Sequence, residues 1–156
     1  MTRKKNKTME KMSLPIRFGF VTAAVLVAYF LILALFGKHT NIFYSMANAL
    51  ITGLGIHETI KYTRIRQDKG FRYGNGFSAG IVCGFVATIL FTLFFAFYAT
   101  EVDTAFLQHL SRAWSSDYEN FEGIVFFTVA IMGFATTVVL TLAIMQLYKS
   151  VNDPKK

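Results

Sequence analysis

Residues 76–100 read GFSAGIVCGFVATILFTLFFAFYAT, an apolar run with no charged side chain. At about 1.5 Å rise per residue, a helix needs about 20 such residues to cross a hydrocarbon layer of roughly 30 Å. This stretch satisfies that length. Within it and just before the next turn, Gly76, Gly80, Gly84, Thr88, Thr92, Ala96 and Thr100 place a small residue at every fourth position. Positions four apart lie on one helix face, so these residues form a continuous ridge of small side chains. Lipid tails are as apolar as leucine, which leaves close backbone approach and packing to drive helix association in a bilayer. The pattern predicts a helix packed tightly by its small face, with a seam between copies of the chain as the other use of that face.

Working outward, three further stretches have the length and composition of membrane spans. The predicted spans are residues 16–36, 42–60, 77–99 and 122–147, the second being the least apolar. The whole chain of 156 residues is 54% hydrophobic and 16% aromatic, more apolar than a soluble domain of this size requires. The expected fold is all-α: four transmembrane helices in an antiparallel bundle, forming a single domain over residues 1–156 with a basic cytoplasmic tail at 1–13. The first apolar run exceeds the core of a secretory signal and offers no small-x-small cleavage site, so it reads as a retained helix. The single cysteine, Cys83, lies inside the third span and excludes an internal disulfide framework.

Charge supplies the orientation. Of sixteen Lys and Arg residues, six precede the first span (Arg3, Lys4, Lys5, Lys7, Lys11, Arg17) and five lie between the second and third (Lys61, Arg64, Arg66, Lys69, Arg72). Three follow the fourth (Lys149, Lys155, Lys156), whereas the alternate segments hold only Lys38 and Arg112. The positive-inside rule then places both termini and the middle loop on the cytoplasmic side of a multi-pass protein. The basic loops would face anionic lipid headgroups, or a cytoplasmic partner, rather than nucleic acid. The opposite side is acidic, with Glu101, Asp103, Asp117, Glu119 and Glu122.

The second span differs from the others. Asn41, Ser45, Asn48, Thr52, Gly55, Thr59 and Tyr62 alternate three- and four-residue steps, which keeps a polar or small stripe on one face. That face must turn toward the bundle, to form interhelical hydrogen bonds or to line a small polar cavity. Asn48 and Thr52 lie nearest mid-span. His57 and Glu58 complete the candidate intramembrane site. Taking Ile51 as mid-span, Glu58 lies roughly 10 Å toward the cytoplasm, inside a half-thickness of about 15 Å. Near the interface it can pair with Lys61 at i, i+3, or carry protons beside His57. The run "HETIK" puts Lys61 where a zinc-binding helix has its second histidine, which removes a metal reading. No cofactor-binding motif is present, and "GFRYGNGFSAG" lacks the lysine and spacing of a phosphate loop. Its glycines are expected in a turn, with Asn75 capping the third helix.

The outer segment "DTAFLQHLSRAW", residues 103–114, carries Phe106, Leu107, Leu110, Ala113 and Trp114 on one face. It predicts a short interfacial helix, followed by a capping box from Ser116 to Glu119. The aromatic cluster "LFTLFFAFY" is expected to face lipid. In the fourth span, Gly133, Thr137 and Thr141 repeat the small-residue spacing on a shorter scale.

The basic turn "YTRIRQDKGFRYGNGF" and the entry "GFSAGIVCGF" resemble a family of small four-helix membrane proteins of Bacteroidota known as domain of unknown function 4199. The resemblance spans most of the chain, although the outer segment here lacks the Asp-Pro of many members. It implies a bacterial inner-membrane protein with no assigned activity. No nucleophile–base pair or paired intramembrane carboxylates are visible, so the sequence reads as a non-enzymatic structural or accessory subunit with a membrane-protein partner or as a homo-oligomer. The alternative is a small oligomeric transporter or channel with a polar path along the second helix.

Overall fold

The computed structural model describes residues 2–37, 42–67, 70–103, 107 and 120–151, and every regular element among them is helical. Four long helices follow one another: α1 (Thr2–Leu35), α2 (Ile42–Gln67), α3 (Tyr73–Phe97) and α4 (Phe121–Val151). A π-helical turn, Tyr98–Val102, continues α3 and closes with the Asp103 amide donating to the Tyr98 carbonyl at 2.9 Å. Three segments are long and apolar enough to cross a membrane: Leu14–Leu35, Tyr73–Val102 and Phe121–Tyr148. α2 has the length but not the apolar content.

The helices run further than the apolar runs. α1 includes the basic residues 2–13, because Lys, Arg, Met and Glu are strong helix formers whether or not lipid surrounds them. α2 likewise continues through "KYTRIRQ" to Gln67 and α3 begins at Tyr73, so the expected middle loop is helical at both ends. Gly37, with φ of +63°, ends α1, its amide donating to the Ala34 carbonyl at 3.0 Å. Left-handed backbone of this kind is where glycine replaces other residues at a helix end. Asn75 does not cap α3. Arg72 holds the N-cap position with extended backbone and no side-chain bond. The Asn75 amide reaches back instead, donating to Gln67 Oε1 at 2.6 Å, and ties the end of α2 to the start of α3. Gly74 and Gly76 are helical, and only Gly70 stays in the turn.

α3 touches each of the other three helices. The ridge read from the sequence forms its contact with α4. A side chain starting at Gly76 would meet Met145, one at Gly80 Thr141, and one at Gly84 Thr137. At the next step the roles reverse, and Gly133 of α4 receives Thr88 of α3. Each advance of four residues on α3 thus meets a retreat of four on α4, and the two helices run in opposite directions. α1 advances with α3, from Gly19 against Val86 to the Phe30 ring against Phe95. α2 opposes α1, with Gly55 under Thr22 and the Tyr29 hydroxyl donating to the Tyr44 carbonyl at 2.9 Å.

Two apolar clusters fill the interior. Ile56, Ile60, Ile144 and Met145 form one, and Ala23, Leu26 and Ala87 the other. The aromatic cluster of α3 is only in part directed outward. Leu93 and Phe97 are exposed, but Phe91, Phe94, Phe95 and Tyr98 surround Phe30 edge to face at 5.1–6.1 Å between ring centres. Such edge-to-face geometry is favoured by the ring quadrupole, so the cluster fastens α1 to α3. The expected interfacial helix and the Ser116–Glu119 box lie outside the described residues, apart from Leu107, which is buried.

The contact at Gly84 admits no side chain, because Thr137 Cβ, Cγ2 and Oγ1 occupy the space. Gly84→Ala is expected to destabilise the chain by about 1–3 kcal/mol, the usual cost of overpacking. Adding Thr137→Ala should restore most of the loss. Thermal unfolding in detergent checks both, and a single variant as stable as the parent would refute the contact.

Candidate functional site

The polar stripe of α2 divides in two when seen in place. Asn41 and the Ser45 side chain lie outside the described residues. Asn48 lines a cavity of about 460 Å³ shared with Thr52 of the same helix, Thr88 and Thr92 of α3, and Thr136 of α4. Leu26, Phe30, Phe91, Phe95, Val129 and Met132 supply much of its apolar wall. The cavity does not continue along α2. Below it Gly55 is closed by Thr22, and Ile56 and Ile60 are completely buried.

The hydroxyls of the stripe turn back on their own helix. Thr52 Oγ1 donates to the Asn48 carbonyl at 2.8 Å, Thr59 Oγ1 to the Gly55 carbonyl at 2.7 Å and Thr63 Oγ1 to the Thr59 carbonyl at 2.7 Å. This i to i−4 bond lets a threonine enter a dry interior without a partner on another helix. Thr52 and Thr59 of the stripe thus spend their protons on their own backbone, as does Thr63 beside it. A sulfur supplies one interhelical contact instead: Cys83 Sγ donates to the Gly55 carbonyl at 3.8 Å.

Four buried side-chain oxygens have no hydrogen-bond partner among the described residues: Asn48 Oδ1, Thr92 Oγ1, Thr137 Oγ1 and Thr141 Oγ1. The last two face Gly84 and Gly80. An added Cβ would point along one Cα–H bond of the glycine, and Thr141 Oγ1 lies 3.0 Å from that position at Gly80. Thr137 Oγ1 is placed in the same way at Gly84. Cα–H groups of this orientation are weak donors that recur at helix–helix contacts, which accounts for both hydroxyls. Asn48 and Thr92 both belong to the cavity lining.

His57 and Glu58 are not part of it. At about 100° per residue, Thr59 returns to the azimuth of Thr52, whereas positions 57 and 58 fall on other sides of α2. Glu58 Oε1 lies 3.3 Å from Lys61 Nζ, as the i, i+3 spacing predicts, and 3.4 Å from His57 Nδ1. The side chains of His57 and Glu58 are 41% and 38% exposed, so the group sits at the surface. Tyr148 of α4 completes it, with its hydroxyl 3.3 Å from His57 Nε2 and the two rings stacked at 5.8 Å. Arg64 lies over the other part of that ring, 5.5 Å from its centre. Tyr148 was not among the candidate residues, since nothing along one helix specifies which tyrosine of another will meet it. The candidate set Asn48, Thr52, His57, Glu58 is thus two separate places, one neutral and buried, one charged and half open.

No family model matches the sequence, and neither a curated protein nor a solved structure matches it.

An ion pair this exposed contributes little, typically 0–1 kcal/mol. Glu58→Gln should therefore change the unfolding midpoint by no more than an equivalent of about 1 kcal/mol, with little dependence on salt. A larger loss, measured in detergent at low and high ionic strength, would show Glu58 to be structural.

Proposed function

We propose that the chain is a four-span integral membrane protein of the bacterial inner membrane, non-enzymatic, acting as a structural or accessory subunit rather than as a conduit. Both termini and the turn between α2 and α3 lie on the cation-rich cytoplasmic side in this reading. The resemblance to the Bacteroidota family of unknown function is part of the same proposal and brings no activity with it.

The observation that carries the reading is the closure of α2. A transporter or channel needs its polar groups to connect across the bilayer. Here the cavity lining on α2 ends at Thr52, and beyond it Ile56, Ile60 and Met145, at 0–1% exposure, pack together, with Thr59 of the stripe equally buried and bonded to its own helix. Glu58 is separated from Asn48 by that plug.

α2 counts as the fourth span on its outward side. Phe43, Met46, Leu50 and Leu54, at steps of three and four, are all exposed, between 67% and 78%. A helix with a buried polar stripe and an exposed apolar one suits a bilayer, where only the inward face tolerates polar groups. Its average composition understates this, because the apolar content is concentrated on one side. The other helices also expose large apolar residues, among them Leu35, Phe127, Val139 and Leu147. Soluble monomers rarely leave apolar surface so extensive.

Two measurements test the reading. Cys83 is fully buried, so the parent chain should be silent to a membrane-impermeant maleimide. Against that background Asp103→Cys is expected to react in intact cells, and Arg66→Cys only after lysis. The reverse order would overturn the orientation. In proteoliposomes, proton and ion flux should stay at the level of empty vesicles. Flux above that level, lost in Asn48→Ala, would convert the protein from scaffold to transporter.

A further inference from the structure

The cavity on which Asn48 opens has a volume of about 460 Å³, within the roughly 300–1,000 Å³ of small-molecule sites. Two of its oxygens, Asn48 Oδ1 and Thr92 Oγ1, are out of contact with solvent and unpaired among the described residues. Leaving a buried acceptor unpaired is costly, and the Thr52 hydroxyl on the same helix is committed, since it donates to the Asn48 carbonyl at 2.8 Å. An amide oxygen can only accept, so what satisfies it must bring an O–H or N–H.

The walls restrict the occupant further. Among the described residues no Asp, Glu, Lys, Arg or His lines the cavity, so a charged ligand would meet no counter-charge from them. Phenyl rings of Phe30, Phe91 and Phe95 call for an apolar body. The rim points to the route of entry. Met46 of α2 and Met132 of α4 line the cavity and are 67% and 64% exposed. The contacts between α2 and α4 at Gly53 with Leu140 and at His57 with Tyr148 lie toward the opposite end of these helices. Met46 and Met132 are thus the exposed members of the described lining, and Met132 lies near the α4 midpoint. Methionine adapts its shape to what passes or binds.

We propose that this cavity binds a neutral, bilayer-soluble alcohol, which enters between Met46 and Met132 and donates its hydroxyl to Asn48 Oδ1, with Thr92 Oγ1 as the second polar contact. The inference rests on the membrane reading above and extends it, since a chain without transport or catalysis can still hold a lipid-like ligand.

A hexadecanol carrying a diazirine on its chain tests this in nanodiscs of phosphatidylcholine and phosphatidylglycerol, with cross-linked residues read by mass spectrometry. Labels are expected on Met46, Phe91 and Met132. Hexadecanol should compete at a concentration about tenfold lower than hexadecane, the ratio that one hydrogen bond of about 1.4 kcal/mol gives. Asn48→Leu should bring that ratio close to one while labelling by chain contact persists. Should Asn48→Leu fold poorly, Thr92→Val, which conserves shape, is expected to lower the ratio by about threefold. Equal competition by alkane and alcohol in the parent, labels only outside the cavity, or a ratio untouched by both substitutions would each overturn the proposal. Failure of the chain to enter nanodiscs at all would instead overturn the membrane reading, so the two outcomes are distinct.

Discussion

The rest of the structure depends on how closely α3 and α4 approach at Gly80, Gly84 and Gly133. Each of these glycines faces a threonine of the other helix, and the space where its side chain would begin is already filled. In hydrocarbon there is no gain from hiding leucine from lipid, so packing must come from contact area and weak polar contacts. Glycine supplies the first by removing the side chain that would hold the backbones apart. It supplies the second by turning a Cα–H toward the threonine hydroxyl. The same device fixes the other helices, since Gly55 receives Thr22 from α1, and Gly19 lies against Val86 and the Cys83 carbonyl of α3. α3 touches all three partners through glycines on either side of each contact: its own Gly80 and Gly84 toward α4, with Ile56 of α2 also close to Gly80, and Gly19 of α1.

The register that these pairs impose also explains where the cavity is. Following it, Gly76 meets Met145, Gly80 meets Thr141, Gly84 meets Thr137 and Thr88 meets Gly133, so every pair so far includes a glycine. One step further Thr92 is aligned with Val129, and neither is small enough for close approach. Both line the cavity. The helices come together again near Phe95 and Phe126, whose rings meet edge to face at 6.1 Å. The cavity is thus the interval between a glycine zipper and an aromatic clasp. Its polar atoms remain unpaired because the helices are held apart at that level.

Much of this frame is legible in the sequence, and the remainder has identifiable reasons for being hidden. Spacing of four exposes the ridge of α3 and its echo in Gly133, Thr137 and Thr141, because a helix face is a property of one segment. Pairings between segments are not: Thr22 with Gly55 and Tyr148 with His57 depend on the register between helices, which no single periodicity contains. Helix ends were obscured for another reason. Hydropathy reports where lipid ends, whereas helix formation continues through Lys61–Gln67 at the end of α2 and through the basic start of α1. Asn75 was expected as a cap by residue type, but Arg72 has the extended backbone of that position. The two halves of the candidate site looked like one because residues 48 to 58 are close in sequence, while helical rotation separates Thr52 from Glu58.

That separation follows from electrostatics rather than from accident of packing. A carboxylate is expensive to hold away from water, and an amide or hydroxyl much less so. The charged residues of α2 consequently gather where Glu58 can meet Lys61 and His57 at a half-exposed surface. Among the described residues the interior keeps groups that need no counter-charge: threonines, some bonded to their own backbone and some facing glycines, a cysteine and an asparagine. With no charge among the described residues lining the cavity, the occupant proposed for it would be recognised by shape and by a donated hydrogen bond. The half-exposed cluster of His57, Glu58, Lys61 and Tyr148 is set apart from the cavity by the buried Ile56 and Ile60.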